Sequence, residues 1–393
     1  MSGRPGLVFC VFVDALGWEL MRRRTFLEDE LVVRRPLDTV LGYSSTCDPT
    51  IITGRLPREH GHFTFYAYDP QHSPFGALRA LSALPASIAN RGRVRHLISR
   101  AVARAYGYTG YFQLYSMPFS RLPLFDYTEK RDFYEPGGIN GGQPTIFDWL
   151  RQQGIPTHRT NWRRSERSAI DALADDLGQG RPRFVYLYLA GLDGVLHAHG
   201  TGSTHVEAHL AFYERELRNL LQVARRHYGE IRFHLFSDHG MTDVVATCDL
   251  MSRIEATRLR FGVDYAAAYD STLARFWFLA PGARETITEA LQREPAGRVL
   301  DDRELAMLGC DFPDRRFGEL FFLLNPGVLL CPSFLGLTPL KGMHGYHPSE
   351  PTARALFATS AADVVAPRGL TDLYAFFKRE ADIASDRSAG VAA

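Results

Sequence analysis

The sequence predicts an α/β protein with a doubly wound, mostly parallel sheet and inserted cap regions. Three short and largely apolar segments, residues 7–13, 184–189 and 231–236, have the composition of strands that are buried on both faces. Amphipathic helical patterns alternate with these segments, as they do in proteins that carry helices on both faces of one sheet. Together these observations favour an open sheet between two layers of helices.

Each predicted strand leads into acidic or imidazole side chains. The first strand ends on Asp14, the second is followed by Asp193, and the third is followed by Asp238 and His239. The carboxyl ends of parallel strands meet at one edge of a sheet, where ligand sites collect. The sequence therefore predicts one shared site at this edge.

Two helices are well marked between the strands. One is predicted from Thr204, as the N-cap, to Gly229, because apolar residues recur on one face of this segment. A shorter helix is predicted over residues 144–153, with Pro144 in its first turn and Gly154 after its end. Both helices fit the doubly wound core.

Composition limits the class of protein. The chain has 393 residues, 45% of them hydrophobic, so it can bury a large core. A net charge of +1 gives no reason to expect a nucleic-acid polymer as partner. No export signal or transmembrane run is predicted, and five scattered cysteines without a CxxC pair suggest reduced thiols in the cytoplasm. We therefore expect a cytoplasmic protein, whose oligomeric state the sequence does not predict.

The alternation of strands and helices is interrupted twice, which divides the chain into five predicted segments. They are a core segment with the first strand (1–70), an aromatic and basic cap (71–142), a core segment (143–243), a second, small α+β cap (244–339), and a core segment with a C-terminal tail (340–393).

The first cap is rich in aromatic residues and arginine. Its aromatic residues are predicted to form the core of the cap in preference to stacking on a substrate: Tyr106, Tyr108, Tyr111, Phe112, Tyr115, Phe119, Phe125 and Tyr127. Its arginines form either a solvated helix face or a landing surface for an anionic substrate or a lipid surface: Arg91, Arg93, Arg95, Arg100 and Arg104. Peripheral contact with a membrane therefore stays open.

Five short motifs occur in a fixed order along the chain. They are Val-Asp14-Ala-Leu-Gly, Ser44 ten residues before the Gly54 of Ile-Ile-Thr-Gly, Asp193-Gly-Val-Leu-His197, Ser-Asp238-His239-Gly, and Gly-Met-His344-Gly. This ordered set resembles the alkaline phosphatase superfamily, and within it the type I phosphodiesterase/nucleotide pyrophosphatase family. Each motif alone is weak, whereas five in order are specific.

The resemblance implies a hydrolase with two divalent metal ions, Zn²⁺ first and Mn²⁺ as the alternative. It implies that Asp193, His197 and His344 hold one ion, and that Asp14, Asp238 and His239 hold the other, with Ser44 bridging to it. Two such ions polarise phosphoryl oxygens and align the attacking and leaving oxygens. The implied reaction cleaves a small-molecule phosphate ester, either a diester or a monoester, through a covalent phosphoseryl intermediate.

The nucleophile is assigned by spacing. In the family it lies ten residues before the glycine of the apolar-apolar-Thr-Gly motif, which selects Ser44, with Ser45 and Thr46 as alternatives. One of the three hydroxyls is also expected to cap a helix that begins here. A sulfatase would need Pro or Ala at position 46 and Arg at position 48, where this chain has Thr46 and Asp48, so a sulfatase is disfavoured.

Substrate contacts are predicted from position. Nucleotide pyrophosphatases usually have an asparagine where this chain has Phe65, so a preference for nucleotides does not follow from the resemblance. Thr64 and Tyr66 either replace the asparagine as donor or only pack the hinge of the cap. Arg275, with Asp270, and Lys341 are further candidates because cations bind spare phosphate or carboxylate groups. The competing functions are a phosphotransferase, a phosphonate or sulfate ester hydrolase, and a non-catalytic binding protein.

Overall fold

The computed structural model describes residues 4–389, with the side chains of residues 4–383. Residues 1–3 of the first predicted segment and residues 390–393 of the predicted tail lie outside the described residues. The strands are β1 (Gly6–Val13), β2 (Val33–Leu37), β3 (Tyr66–Tyr68), β4 (Phe125–Tyr127), β5 (Thr157–Arg159), β6 (Phe184–Leu189), β7 (Glu230–Phe236), β8 (Thr242–Asp243), β9 (Ala246–Cys248), β10 (Tyr265–Tyr269), β11 (Leu273–Phe278), β12 (Gly297–Leu300), β13 (Leu320–Leu324), β14 (Val328–Leu330), β15 (Gly342–Met343) and β16 (Ala355–Thr359).

The helices alternate with the strands. The α-helices are α1 (Trp18–Met21), α2 (Ser44–Thr53), α3 (Pro57–His60), α4 (Ala86–Ala89), α5 (Gly92–Tyr106), α6 (Ile146–Gln152), α7 (Glu166–Gly178), α8 (Gly191–His199), α9 (Thr204–His227), α10 (Leu250–Glu255), α11 (Ala283–Gln292), α12 (Asp302–Met307) and α13 (Leu373–Ala389). Turns of 3₁₀ helix lie at Gly76–Ala83, Leu122–Leu124, Pro351–Ala353 and Leu370–Asp372.

The central sheet has six strands in the order β2-β16-β7-β1-β6-β5. Strands β5, β6, β1 and β7 are parallel, and β16 runs antiparallel to both of its neighbours. The predicted α/β class with a mostly parallel sheet is therefore confirmed.

Both faces of this sheet are buried, which explains the continuous apolar runs of its strands. Phe9 and Val11 of β1 point to one face, in a cluster with side chains of α7, α8 and α9. Val8 and Phe12 point to the other face, in a cluster with side chains of α2, α6 and α13. Alternate residues of one strand thus contact two separate helical layers.

The predicted cap segments contribute to a second hydrophobic cluster. A four-stranded antiparallel sheet, in the order β10-β11-β13-β12, lies in residues 265–324. Leu114 and Tyr127 from the first predicted cap are buried in the same cluster as Ala267 and Phe276 from the second. Side chains of the two segments thus share one core.

Both predicted helix starts are displaced by one or two residues. Helix α9 is capped by Ser203, whose hydroxyl accepts from the Val206 N–H, so Thr204 is its first residue instead of its cap. Helix α6 is capped by Thr145 in a reciprocal capping box with Asp148, so Pro144 precedes the helix. In each helix the N-cap is the residue whose side-chain hydroxyl accepts from a free backbone N–H of the first turn. That residue precedes the predicted start in α9 and follows it in α6.

No helix among the described residues is both long and apolar enough to cross a lipid bilayer. All five cysteines are free thiols.

Candidate active site

The carboxyl ends of β1, β6 and β7 bring the predicted site residues together. Asp14 follows β1, and Asp238 with His239 follows β7. Asp193 and His197 lie one turn apart on the same side of α8, which begins directly after β6. The next strand pair, β8 with β15, places His344 beside them.

The first group comprises Asp14, Asp238 and His239, all buried, with Ser44 beside them. The Nε2 atom of His239 lies 3.0 Å from Oδ2 of Asp238 and 3.5 Å from Oδ1 of Asp14. The same nitrogen lies 3.2 Å from Oγ of Ser44. Two carboxylates, an imidazole and a hydroxyl therefore converge on one small volume.

The second group comprises Asp193, His197 and His344. The Oδ1 atom of Asp193 lies 3.2 Å from Nε2 of His197 and 3.6 Å from Nε2 of His344. The ring of His344 stacks on that of His239, so the two groups are adjacent. Each group offers donor atoms that could hold a metal ion.

Backbone carbonyls orient two of the imidazoles. The Nδ1 atom of His197 lies 2.8 Å from the Gly342 carbonyl oxygen, and that of His239 lies 2.9 Å from the Gly240 carbonyl oxygen. A carbonyl only accepts, so in both rings Nδ1 is the donor. In the neutral form of each ring, Nε2 then carries the lone pair that a metal ion needs, and a bound metal ion would replace the proton that Nε2 carries in the charged form.

Tyr188 is a site residue that the sequence did not reveal. Its hydroxyl donates to Oδ2 of Asp14 at 2.7 Å. The register of β1 with β6 places Tyr188 opposite Phe12, two residues before Asp14. The only signal in the sequence is a polar aromatic residue near the carboxyl end of a buried strand.

Several carboxylate oxygens in the site are buried without a hydrogen-bond partner among the described residues. They are Oδ1 of Asp14, Oδ1 of Asp193 and Oδ2 of Asp238. Burial and the nearby charge of Asp238 raise the pKa of Asp14 well above its ordinary value. Burial opposes the charged form of His239, but the negative charges of the surrounding carboxylates, first that of Asp238, outweigh it and raise the pKa to about 10. Bound protons thus reduce the repulsion among these buried carboxylates, and a metal cation would reduce it in the same way.

Helix α2 begins at Ser44, and Tyr43 occupies its N-cap position without a side-chain hydrogen bond. The expected capping by one of the three hydroxyls is therefore wrong. The hydroxyls of Ser45 and Thr46 instead donate to the carbonyl oxygen of Phe63, because the segment between α3 and β3, which contains Phe63, passes close to the first turn of α2. Ser44 is the member of the three that faces the acidic group.

The four predicted substrate contacts lie in different surroundings. Phe65 is half-buried and stacks on Tyr115 and Tyr127, with ring centroids 5.4 and 5.8 Å away. Lys341 is exposed, and its backbone N–H donates to the carbonyl oxygen of His197. Lys341 is thus joined through its backbone to the second group, whereas Phe65 belongs to the aromatic cluster of the first predicted cap.

The other two predicted contacts, Tyr66 and Arg275, are fully buried. The guanidinium of Arg275 forms an ion pair with Asp270 at 2.9 Å and donates to the carbonyl oxygens of Tyr66 and Phe317. The structure thus holds both residues in the interior of the caps and does not bring them to the six ligand candidates.

Two further carboxylates near the site were also missed. Asp48 lies one helical turn after Ser44, and Glu129 follows β4. Each has a buried oxygen without a hydrogen-bond partner in the described part of the chain. Burial raises the pKa of both groups well above the ordinary values, and the charge of Asp48 raises that of Glu129 further. Glu129 lies in no motif, and Asp48 lies inside the motif from Ser44 to Gly54 without a predicted role as ligand, so only their surroundings identify them as site groups.

Comparison with known proteins agrees with this architecture. A family model described as type I phosphodiesterase/nucleotide pyrophosphatase matches residues 8–346. No curated protein matches the sequence. Human ectonucleotide pyrophosphatase/phosphodiesterase 5 is similar in structure, with a TM-score of 0.67 and 13% identity over 96% of this chain and 94% of that chain.

The murine protein of the same name is similar to the same degree. Its structure has a TM-score of 0.67 and 15% identity, covering 96% of this chain and 95% of that chain. A structure of an inactive murine variant in complex with AMP has a TM-score of 0.66 and 15% identity, with the same coverage. At such identity the likeness shows a shared fold, whereas the family model spans most of the chain. The chain belongs to the type I phosphodiesterase/nucleotide pyrophosphatase family of the alkaline phosphatase superfamily and is a phosphoric ester hydrolase.

Proposed function

We propose that this enzyme cleaves a small-molecule phosphodiester, or a phosphomonoester, by attack of Ser44 on phosphorus between two divalent metal ions. The observation that carries the proposal is the position of the Ser44 hydroxyl. It lies 3.2 Å from His239 Nε2, at the edge of a group of buried acids whose facing oxygens have no hydrogen-bond partner among the described residues.

The chemistry of the donor atoms supports the metal ions. Ligands that bind a tetrahedral Zn²⁺ at about 2 Å lie about 3.3 Å from one another. The separations of Nε2 of His239 from its three neighbours, from 3.0 to 3.5 Å, bracket this value. Asp14, Asp238 and His239 would hold one ion beside Ser44. The second group fits in the same way, and its members are Asp193, His197 and His344. Carboxylate and imidazole donors suit Zn²⁺ first, with Mn²⁺ as the alternative.

Bound ions would supply charge that stabilises the phosphoryl oxygens and the ionised hydroxyl. The Ser44 hydroxyl releases its proton to solvent, and Oγ forms a bond to phosphorus while the bond from phosphorus to the leaving oxygen breaks. The leaving oxygen keeps that electron pair and then takes a proton from solvent. Water attacks the phosphoserine next, the phosphorus–Oγ bond breaks, and Ser44 recovers its proton. The N-terminus of α2 adds a partial positive charge at the attacking oxygen.

The structurally similar mammalian proteins support the same reaction class. The murine structure in complex with AMP is an inactive variant with alanine in place of one threonine. That protein is inactive without one threonine hydroxyl, and AMP is a phosphate ester. Both facts are consistent with the roles that we propose for the Ser44 hydroxyl and for a phosphate ester substrate. We propose Lys341 as a substrate contact because its backbone N–H donates to the carbonyl oxygen of His197. We propose Phe65 because it lies two residues after Phe63, whose carbonyl oxygen accepts from hydroxyls in the first turn of α2.

A panel of aryl phosphodiesters, phosphomonoesters, phosphonates and sulfates, assayed with added Zn²⁺ or Mn²⁺, tests this function. We expect turnover of the phosphate esters by wild type and a loss of at least roughly 1,000-fold in Ser44→Ala. Ser45→Ala is the matched control, since it removes the adjacent hydroxyl, and it should keep most of the activity. Full activity in Ser44→Ala, or an equal loss in Ser45→Ala, would refute the assignment of the nucleophile.

A further inference from the structure

Residues 70–125 have an unusual charge composition. The segment contains no Asp, Glu or Lys, although it contains seven arginines. The rest of the chain carries acidic and basic residues in nearly equal numbers. Positive charge in this segment is therefore not balanced by carboxylates of its own.

Part of the same segment leaves apolar side chains in solvent. The 3₁₀ helix Gly76–Ala83 has no fully buried residue, and its two leucines are only partly buried against the second hydrophobic cluster. Beyond it, Leu84 and Ile88 are 36% and 40% exposed, and Leu97 is 64% exposed. Soluble proteins seldom place apolar residues together at the surface unless that surface contacts a partner. We call residues 76–104 the cap surface.

Helix α5 combines both features on its outer face. Its inner face buries Ser99 and Val102. Its outer face presents Arg93, Arg100 and Arg104, with Leu97 between them, at the spacing of three and four residues that aligns side chains along one side of a helix. Among the described residues, no carboxylate lies within ion-pair distance of these three arginines.

A cavity of about 430 Å³ adjoins the cap surface. Leu81 and Leu84 line it together with Phe334 and Leu337 from the second predicted cap. Arg95 also lines it, and this guanidinium is buried, donates to backbone carbonyls, and has no carboxylate partner among the described residues. Asp249 and Glu255 line the cavity as well, so it adds apolar surface beside the arginines without forming an anion site of its own.

We infer that the cap surface docks on an anionic phospholipid membrane. The three arginines attract the negative surface, and Leu97 between them enters the interface, as in other peripheral amphipathic helices. Leu84 and Ile88, which precede α5, add exposed apolar surface. A nucleic acid would use the arginines but would leave the exposed apolar side chains in water. A face that was merely solvated would not need them. The mixture of side chains therefore favours lipid.

Vesicle binding tests the inference with the full chain. The protein is sedimented with vesicles of phosphatidylcholine alone and with vesicles that also contain phosphatidylglycerol. We expect binding to the anionic vesicles only, and weaker binding as salt is raised. Replacing Arg93, Arg100 and Arg104 by glutamine should lower the partition coefficient roughly 100-fold, because each arginine near such a surface contributes about fivefold.

The matched control replaces three exposed arginines elsewhere that also have no ion pair among the described residues: Arg23, Arg226 and Arg303. This control should bind as wild type does. Leu97→Ser should weaken binding without changing its salt dependence. Far-ultraviolet circular dichroism, which does not depend on the proposed enzymatic function, checks that every variant is folded. No binding of wild type to anionic vesicles, equal loss in the control, or tight binding to single-stranded RNA instead of vesicles would overturn the inference.

Discussion

The imidazole rings of His239 and His344 stack with their centroids 3.7 Å apart and their planes 11° apart. Two charged rings would repel one another at this distance. Burial and the charge of His239 lower the pKa of His344 well below its ordinary value, so His344 is neutral beside a charged His239. Since each ring belongs to a different group of ligand candidates, the stack joins the two proposed ion positions.

Metal content should fall by one ion when either group loses a carboxylate. Asp238→Asn and Asp193→Asn are each expected to reduce the content from about two ions per chain to about one, because three protein ligands become two. Most of the turnover should be lost in both variants. Elemental analysis after chelation and reloading with Zn²⁺ measures the change.

Asp175→Asn is the control for these variants, since Asp175 is exposed on α7. It should keep both ions and the full rate. Two ions per chain in Asp238→Asn would show that the first group does not bind metal in the way proposed.

Tyr188→Phe should weaken metal binding without unfolding the protein. The change removes the hydroxyl that donates to Asp14 Oδ2 at 2.7 Å and leaves the ring in place. Loss of a hydrogen bond to a metal ligand typically costs about 10-fold to 100-fold in affinity. Competition with a chromogenic chelator measures this affinity. Tyr228→Phe is the control because Tyr228 follows α9 and lies beside Arg183, which precedes β6, at the end of the sheet opposite the ligand candidates. Equal loss in both variants would contradict the role of Tyr188.

The sheet could be predicted from the sequence because both of its faces are buried. Continuous apolar runs mark β1 and β6, and the polar residues after them could only lie at the carboxyl edge. The contact of Tyr188 with Asp14 could not be predicted, because it depends on the register between strands that are far apart in the sequence. Register is set by tertiary packing and leaves no local pattern.

Sequence patterns could not predict whether charged residues of the caps are buried, for a similar reason. Arg275 lies within β11, where a cation can equally face solvent or substrate. Its partners are Asp270, across a turn, and the carbonyl oxygen of Phe317, which a neighbouring chain segment supplies. Only the packing of the two predicted caps into one cluster shows that this position is interior.

Glu129 should make the protein less stable as pH rises. Burial, with the charges of Asp48 and Asp132, raises the pKa of Glu129 well above its ordinary value of 4.5. The unfolded chain therefore releases this proton first, and the folded state loses stability as pH rises above about 4.5 until the folded group ionises. Each tenfold difference in proton affinity between the folded and unfolded states corresponds to about 1.4 kcal/mol.

Glu129→Gln keeps the shape of the protonated acid and cannot ionise. We expect the variant to have a higher free energy of unfolding than wild type at about pH 8, and nearly the same free energy of unfolding at about pH 4. Urea unfolding at the two pH values measures the difference. A variant that is less stable than wild type at the higher pH would show that Glu129 is ionised and paired in the folded protein.

The buried ion pair between β7 and α13 should give the opposite dependence. Arg232 donates to both carboxylate oxygens of Glu380, at 2.5 and 3.1 Å, and the Nε2 atom of His234 lies 2.9 Å from the same carboxylate. Burial raises the pKa of Glu380, but the hydrogen bonds from His234 and Arg232 outweigh it and lower the pKa to about 2. The contribution of this group to stability is therefore complete above about pH 4.5 and is lost as pH falls towards 2.

Glu380→Gln should reduce the free energy of unfolding at neutral pH by about 3 kcal/mol, because it leaves the buried Arg232 guanidinium without its main partner. The effect should be at the lower end of the range for buried pairs, since Asp363 still lies 3.1 Å from Arg232. The same substitution should make stability less sensitive to pH below about 4.5, because the titrating group is gone. Asp29→Asn, which breaks the exposed pair with Arg218, is the control and should change little. Urea unfolding from neutral to acidic pH decides the matter: if Glu380→Gln and wild type lose stability in parallel as pH falls, other carboxylates cause the acid sensitivity and this ion pair does not anchor α13 to the sheet.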